Sequence, residues 1–291
     1  MYYPVKKFLT LLTVSISLIG CSFGLSSVAL AQSCCTPSNK PVATPAYYSD
    51  PKFMSTHLSP LPFTFVSKSG KMVSFKTDDG KTASAFLVPS PKASNKYLIM
   101  SHEWWGLNDY IKQEAERYRE ALGNVNVLAL DLFDGNVATT PEEASKITRG
   151  ADPERLRAIV RGAVDYTGSK AEIGTVGWCF GGTWSLETAL AAGKQGKACV
   201  IYYGMPEMRA SRLEALGGPV LGIFASRDEY ITPAKVEEFA TAMKSAERKL
   251  EVKSYDAVHA FANPSNPKYN KEAASDAYKR TIAFLKKHLM K

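Results

Sequence analysis

The chain has little metal-binding chemistry. Its 291 residues include 4 histidines and 5 cysteines, with no C-x-x-C pair and no histidine-rich cluster, so no metal is expected. Basic tracts are missing too. Net charge is +8, but lysines and arginines are scattered and no run exceeds a pair such as Lys286-Lys287, so no nucleic-acid partner is expected. The body has no apolar run long enough to span a membrane, and there is no internal repeat. What remains is an ordinary globular composition, 45% hydrophobic and 22% charged, enough for one large domain.

The N-terminus differs from the body. Lys6-Lys7 precede an apolar run, Phe8 to Ile19, of signal-peptide length. Ala29-Leu30-Ala31 before Gln32 makes a small-residue cleavage site, so residues 1–31 are expected to be a signal peptide. Leu18-Ile19-Gly20-Cys21 offers the alternative, a lipoprotein signal in which Cys21 carries lipid and is the only route to a membrane. No Arg-Arg pair supports a twin-arginine signal. Either route exports the protein, to the periplasm or to a lipid anchor. Residues 32–60, rich in Pro, Ser and Thr, read as a flexible linker, with His57 exposed and inert. Cys34 and Cys35 are adjacent and make a poor mutual disulfide. Cys199 reads as a core-strand residue.

From Leu61 onward, one domain runs to Lys291. Lys71 to Lys76 and Ala83 to Val88 flank Asp78-Asp79-Gly80 and predict a hairpin. After it, strands at Lys96 to Met100, Val125 to Leu130, Ile173 to Val176, Ala198 to Tyr202, Val220 to Ala225 and Leu250 to Tyr255 alternate with helical segments. That pattern specifies an α/β fold, a mostly parallel sheet with helices on both faces.

Function in such sheets gathers in the loops after the strands. Gly177-Trp178-Cys179-Phe180-Gly181-Gly182 follows a short β-branched strand and precedes a run of helix formers. This is the setting of a G-x-S-x-G nucleophile elbow, with cysteine as the nucleophile. Asp228 follows the Val220 to Ala225 strand, and His259 follows the last strand. Nucleophile, acid, histidine is the α/β-hydrolase order. A thiol attacks an acyl carbon as thiolate. His259 takes its proton, and Asp228 orients the imidazole. Asp256 is a rival acid better suited to a turn, and His288 belongs to the surface. The backbone N–H groups of Phe180 and Trp104 are placed to form an oxyanion hole, while Trp104 and Trp105 would wall an apolar pocket.

These motifs, with His102-Glu103-Trp104-Trp105-Gly106, Asp131-Leu132-Phe133 and His259-Ala260-Phe261, resemble the dienelactone hydrolase family (carboxymethylenebutenolidases) over Leu61 to Lys291. The resemblance implies an α/β-hydrolase fold and a Cys179-Asp228-His259 triad. It also implies that Glu103 contacts the cysteine and helps to deprotonate it. Two positions depart from the family. Asp134-Gly135 and Asn263 stand where arginines bind the substrate carboxylate in dienelactone-cleaving members. Trp105, Phe261 and Asn263 are therefore expected to bind a neutral ester or lactone, with Arg149 or Arg227 the candidates to replace the missing charge. The leading reading is a cofactor-free, monomeric ester or lactone hydrolase acting on a small molecule through an acyl-enzyme. The alternatives are a non-catalytic binding protein on the same scaffold and a thioester or peptide hydrolase.

Overall fold

The computed structural model describes residues 45–266 and 268–291. The expected signal segment, both of its processing sites, and Cys21, Cys34 and Cys35 lie outside the described residues.

Eight strands form one sheet: β1 (Lys71–Lys76), β2 (Thr82–Val88), β3 (Lys96–Ser101), β4 (Asn126–Leu130), β5 (Glu172–Trp178), β6 (Gly196–Tyr202), β7 (Val220–Ala225) and β8 (Leu250–Tyr255). Their spatial order is β1-β2-β4-β3-β5-β6-β7-β8. The hairpin and the β2–β4 pair are antiparallel, and every later pairing is parallel. β5 and β7 are buried almost throughout, which is why they read as continuous apolar runs. The edge strand β8 is mostly exposed or half-buried.

The helices are α1 (Pro51–Thr56), α2 (Asp109–Leu122), α3 (Pro141–Gly150), α4 (Pro153–Thr167), α5 (Phe180–Ala192), α6 (Ala210–Leu213), α7 (Pro233–Ser245) and α8 (Lys271–His288). Several begin with one device, a capping side chain followed by proline. Thr140-Pro141, Asp152-Pro153 and Thr232-Pro233 open α3, α4 and α7, and each cap oxygen accepts a backbone N–H of the first turn. Proline at that position loses no hydrogen bond, because the first N–H groups have no partner within the helix.

Asp50-Pro51 is a fourth instance, and it corrects the linker reading of residues 32–60 over its described part, residues 45–60. A 3₁₀ turn, Ala46–Ser49, and α1 pack onto the domain. Tyr48 and Phe53 are fully buried, and the Ser145 hydroxyl of α3 donates to the Tyr48 carbonyl at 2.6 Å. From residue 45 on, the described residues group with the domain. The physical reason is aromatic. Tyr47, Tyr48 and Phe53 carry apolar area that a solvated tether would leave in water. No helix among the described residues is long and apolar enough to cross a membrane.

Candidate active site

The elbow forms because β5 meets α5 with almost no space between them. A Cβ on Gly177 would run into the Gly181 carbonyl, and one on Gly181 into the carbonyls of Ser101 and His102. Only glycine fits at either position. Between them Cys179 adopts φ 53°, ψ −117°, an unfavourable conformation for a residue with a side chain. Its N–H donates to the Tyr202 carbonyl at 2.9 Å, which pins the turn to β6. Tyr203 and Ala260, beside the same site, also have positive φ, 37° and 59°.

Cys179 is buried at the start of α5. Its Sγ lies 3.2 Å from Nε2 of His259. His259 Nδ1 lies 2.7 Å from Oδ2 of Asp228. The other Asp228 oxygen accepts the N–H groups of Tyr230 and Ile231, both at 2.9 Å. Burial alone would raise the Asp228 pKa, but the His259 charge and these hydrogen bonds outweigh it and hold the carboxyl below its ordinary value. Burial alone would lower the His259 pKa. The charges of Asp228 and Cys179 reverse this and hold the imidazole well above its ordinary value. The structure thus brings the three expected residues together in hydrogen-bonding order. Asp256 stands apart, exposed and paired with Arg227 at 2.8 Å.

Of the two expected oxyanion donors, Phe180 is the first residue of α5, where the helix ladder offers its N–H no acceptor. Trp104 lies in the loop after β3. His102 holds that loop. Its Nδ1 donates to the Glu103 carbonyl at 2.5 Å, and its Nε2 accepts the Leu132 N–H at 3.1 Å. Burial pushes the His102 pKa down to about 4, so the ring is neutral and can both donate and accept.

Glu103 differs from the expectation. Its hydrogen bonds go to Tyr203, whose hydroxyl donates at 3.3 Å, and to the Asn263 amide, not to Cys179. The thiol is instead engaged by His259. Burial raises the Glu103 pKa to about 7, against the lowering effects of His259, Tyr203 and Asn263.

The expected substrate-binding residues divide. Trp105 and Asn263 line a cleft of about 780 Å³ that also reaches Glu103, Trp178 and Tyr278. Cys179 is not among its lining residues; Glu103 connects the cleft to the triad through Tyr203, whose hydroxyl donates to it and whose ring lies 5.2 Å from that of His259. Phe261 is fully buried, packed between Tyr203 and Tyr255, and is not among the residues lining this cleft. Trp104 is also fully buried. It is a floor under Phe53 and His57 rather than an open wall. Neither candidate arginine reaches the site. Arg149 is exposed at the end of α3, and Arg227 is committed to Asp256.

His57 is the largest correction. Expected exposed, it is 4% exposed, with its ring 5.3 Å from that of His259. The cap signature at Asp50-Pro51 and the aromatic residues around it were the available signal. Tyr203 was missed as well, although it directly follows a strand end, where functional side chains gather.

Residues 84–289 match the dienelactone hydrolase family. The chain is 31% identical to Protein usf of Aquifex pyrophilus over 76% of this chain and 99% of that protein. It is 31% identical to the carboxymethylenebutenolidase of Pseudomonas sp. (strain P51), over 45% of this chain and 55% of that enzyme. Among solved structures, the dienelactone hydrolase of Anabaena variabilis superposes with a TM-score of 0.56 at 19% identity, covering 76% of this chain and 98% of that one.

Proposed function

This chain belongs to the dienelactone hydrolase family, and we propose that it is an exported hydrolase of carboxylic esters or lactones that works through an acyl-enzyme on Cys179. The observation that carries the reading is the chain of contacts Cys179–His259–Asp228 at 3.2 and 2.7 Å, with the cysteine held at a strained elbow.

The chemistry follows from that geometry. His259 takes the thiol proton and Cys179 attacks the acyl carbon. The N–H groups of Phe180 and Trp104 receive the charge that develops on the carbonyl oxygen. The imidazolium, stabilised by Asp228, returns the proton to the leaving alcohol. Water then attacks the thioester with His259 as base. Glu103, with a pKa near neutrality, is suited to take up or release a proton beside the cleft. A binding protein on this scaffold would have no use for a strained cysteine aligned on a carboxylate-held imidazole.

One experiment tests both parts of the proposal. The full chain and Cys179→Ala are expressed in a Gram-negative host, and short-chain aryl ester hydrolysis is assayed in each cell fraction. Cys179-dependent activity is expected in the periplasmic or membrane fraction. Equal activity in both proteins would remove Cys179 as nucleophile. Cysteine-dependent activity confined to the cytoplasm, on protein retaining Met1, would remove export.

A further inference from the structure

His57 takes no part in the reaction proposed above, yet it lies buried beside it. Its Nδ1 is 2.8 Å from the Phe53 carbonyl oxygen. A carbonyl only accepts, so Nδ1 carries the ring hydrogen and Nε2 presents a lone pair. Nε2 is buried and has no hydrogen-bond partner among the described residues. A buried acceptor left alone in this way needs an explanation. With its hydrogen on Nδ1, the ring leaves Nε2 free to ligate.

Two further donors face it. A donor atom from each of His57, Cys179 and His259 lies within 4.8 Å of the other two. We propose that His57, Cys179 and His259 form an inhibitory site for a thiophilic divalent cation, zinc above all, that holds the enzyme inactive. Two imidazoles and a thiolate are a ligand set zinc accepts in a tetrahedral site, with the fourth position left for water. Each imidazole is already oriented as such ligands are, since its other nitrogen is held by Asp228 or by the Phe53 carbonyl. A dication also offsets the Cys179 thiolate and the Asp228 carboxylate in a buried setting. Binding displaces one proton from the Cys179–His259 pair and changes no oxidation state. With the sulfur and the His259 Nε2 both on the metal, neither attack nor proton transfer can occur.

The inhibition rests on Cys179 as nucleophile, but the coordination does not, so the test reads both. Zinc alone is titrated into the full chain in a non-chelating buffer. Ester hydrolysis should fall at micromolar zinc and return with a chelator. His57→Phe keeps a ring against Phe53 and Trp104 while removing the lone pair. It should hydrolyse the ester but need at least about tenfold more zinc, since losing even a group that only holds a ligand in place costs that much. Cobalt(II) should give a thiolate-to-metal charge-transfer band in the wild type that is absent in Cys179→Ser and titrates more weakly in His57→Phe. This band does not depend on turnover, so failure of the hydrolase reading leaves it readable. Equal metal affinity in the wild type and His57→Phe would overturn the site. So would an X-ray absorption spectrum of the zinc-loaded wild type lacking two imidazole nitrogens and one sulfur, and that measurement needs no variant to fold.

Discussion

Glu103 and His102 are neighbours whose burial acts in opposite directions. A buried carboxyl resists losing its proton, and a buried imidazole resists gaining one. For Glu103 the folded pKa, about 7, lies above the ordinary 4.5. The stability it contributes is therefore fully present below pH 4.5 and is lost as pH rises through 7. That difference is worth at most about 3 kcal/mol. Glu103→Gln cannot ionise, so its stability should fall less between pH 5 and 8 than that of the wild type. Urea midpoints across that range measure the effect, and parallel curves for the two proteins would show that Glu103 does not titrate there. In kinetics, the same variant should lower kcat and remove a limb near pH 7 from the pH–rate profile. A raised KM with an unchanged profile would indicate a binding contact instead. For His102 the folded pKa, about 4, lies below the ordinary 6.5. Its contribution is fully present above pH 6.5 and is lost as pH falls through 4. Acid should therefore loosen the loop that His102 ties between the Glu103 carbonyl and the Leu132 N–H.

Among the elements, α1 is the one that the sequence conceals. It has six residues, too few to show a helical period, and it lies in a stretch whose Pro, Ser and Thr content reads as tether. Its Asp50-Pro51 start is legible in hindsight because the same device opens three longer helices. The central parallel strands were legible for the opposite reason. Two-sided burial imposes unbroken β-branched runs, and the motif residues end those strands. The elbow, Asp228 and His259 could be read in sequence because each is tied to a strand end. That Tyr203 and Asn263 meet at Glu103 could not, because their meeting depends on how two loops fold over a third. The docking of α1 has a measurable consequence. Phe53 is fully buried among Tyr47, Tyr48, Trp104 and Tyr230. Phe53→Ala should cost about 3–5 kcal/mol by cavity formation and lost transfer energy, read as a lowered denaturant midpoint with altered tryptophan fluorescence. A cost under about 1 kcal/mol, the size of a surface change, would mean that α1 does not rest on the domain in solution.

At the scale of the whole molecule, charge raises a conflict that the substrate resolves. Net charge is +8, from 36 basic and 28 acidic residues, and such a field speeds encounters with anions. Screening confines the benefit to roughly 8 Å at physiological salt, so binding depends on the charges at the site itself. There, Asp228 and Glu103 both feel the charge of His259. Phe53, Tyr203 and Tyr230 surround its ring, with centroids 5.7, 5.2 and 6.5 Å away. The arginines nearby are committed elsewhere. Arg155 is bound to Asp134 and Asp79, beside the position where dienelactone-cleaving relatives are expected to carry a carboxylate-binding arginine. Arg117 in the cleft is paired with Glu114 and stacked on Tyr278. A substrate carboxylate entering here would lose its water against aromatic faces and beside Glu103, at a cost of several kcal/mol. A matched pair of substrates, a free carboxylate and its methyl ester, should therefore differ by more than about tenfold in kcat/KM in favour of the neutral member, since about 1.4 kcal/mol suffices for that ratio. Raising salt should narrow the gap from neither side, because the long-range field does not set it. If the anionic member is the better substrate, a cation reaches the acyl site after all. Lys268, whose charge is felt at His57, is then the first side chain to remove.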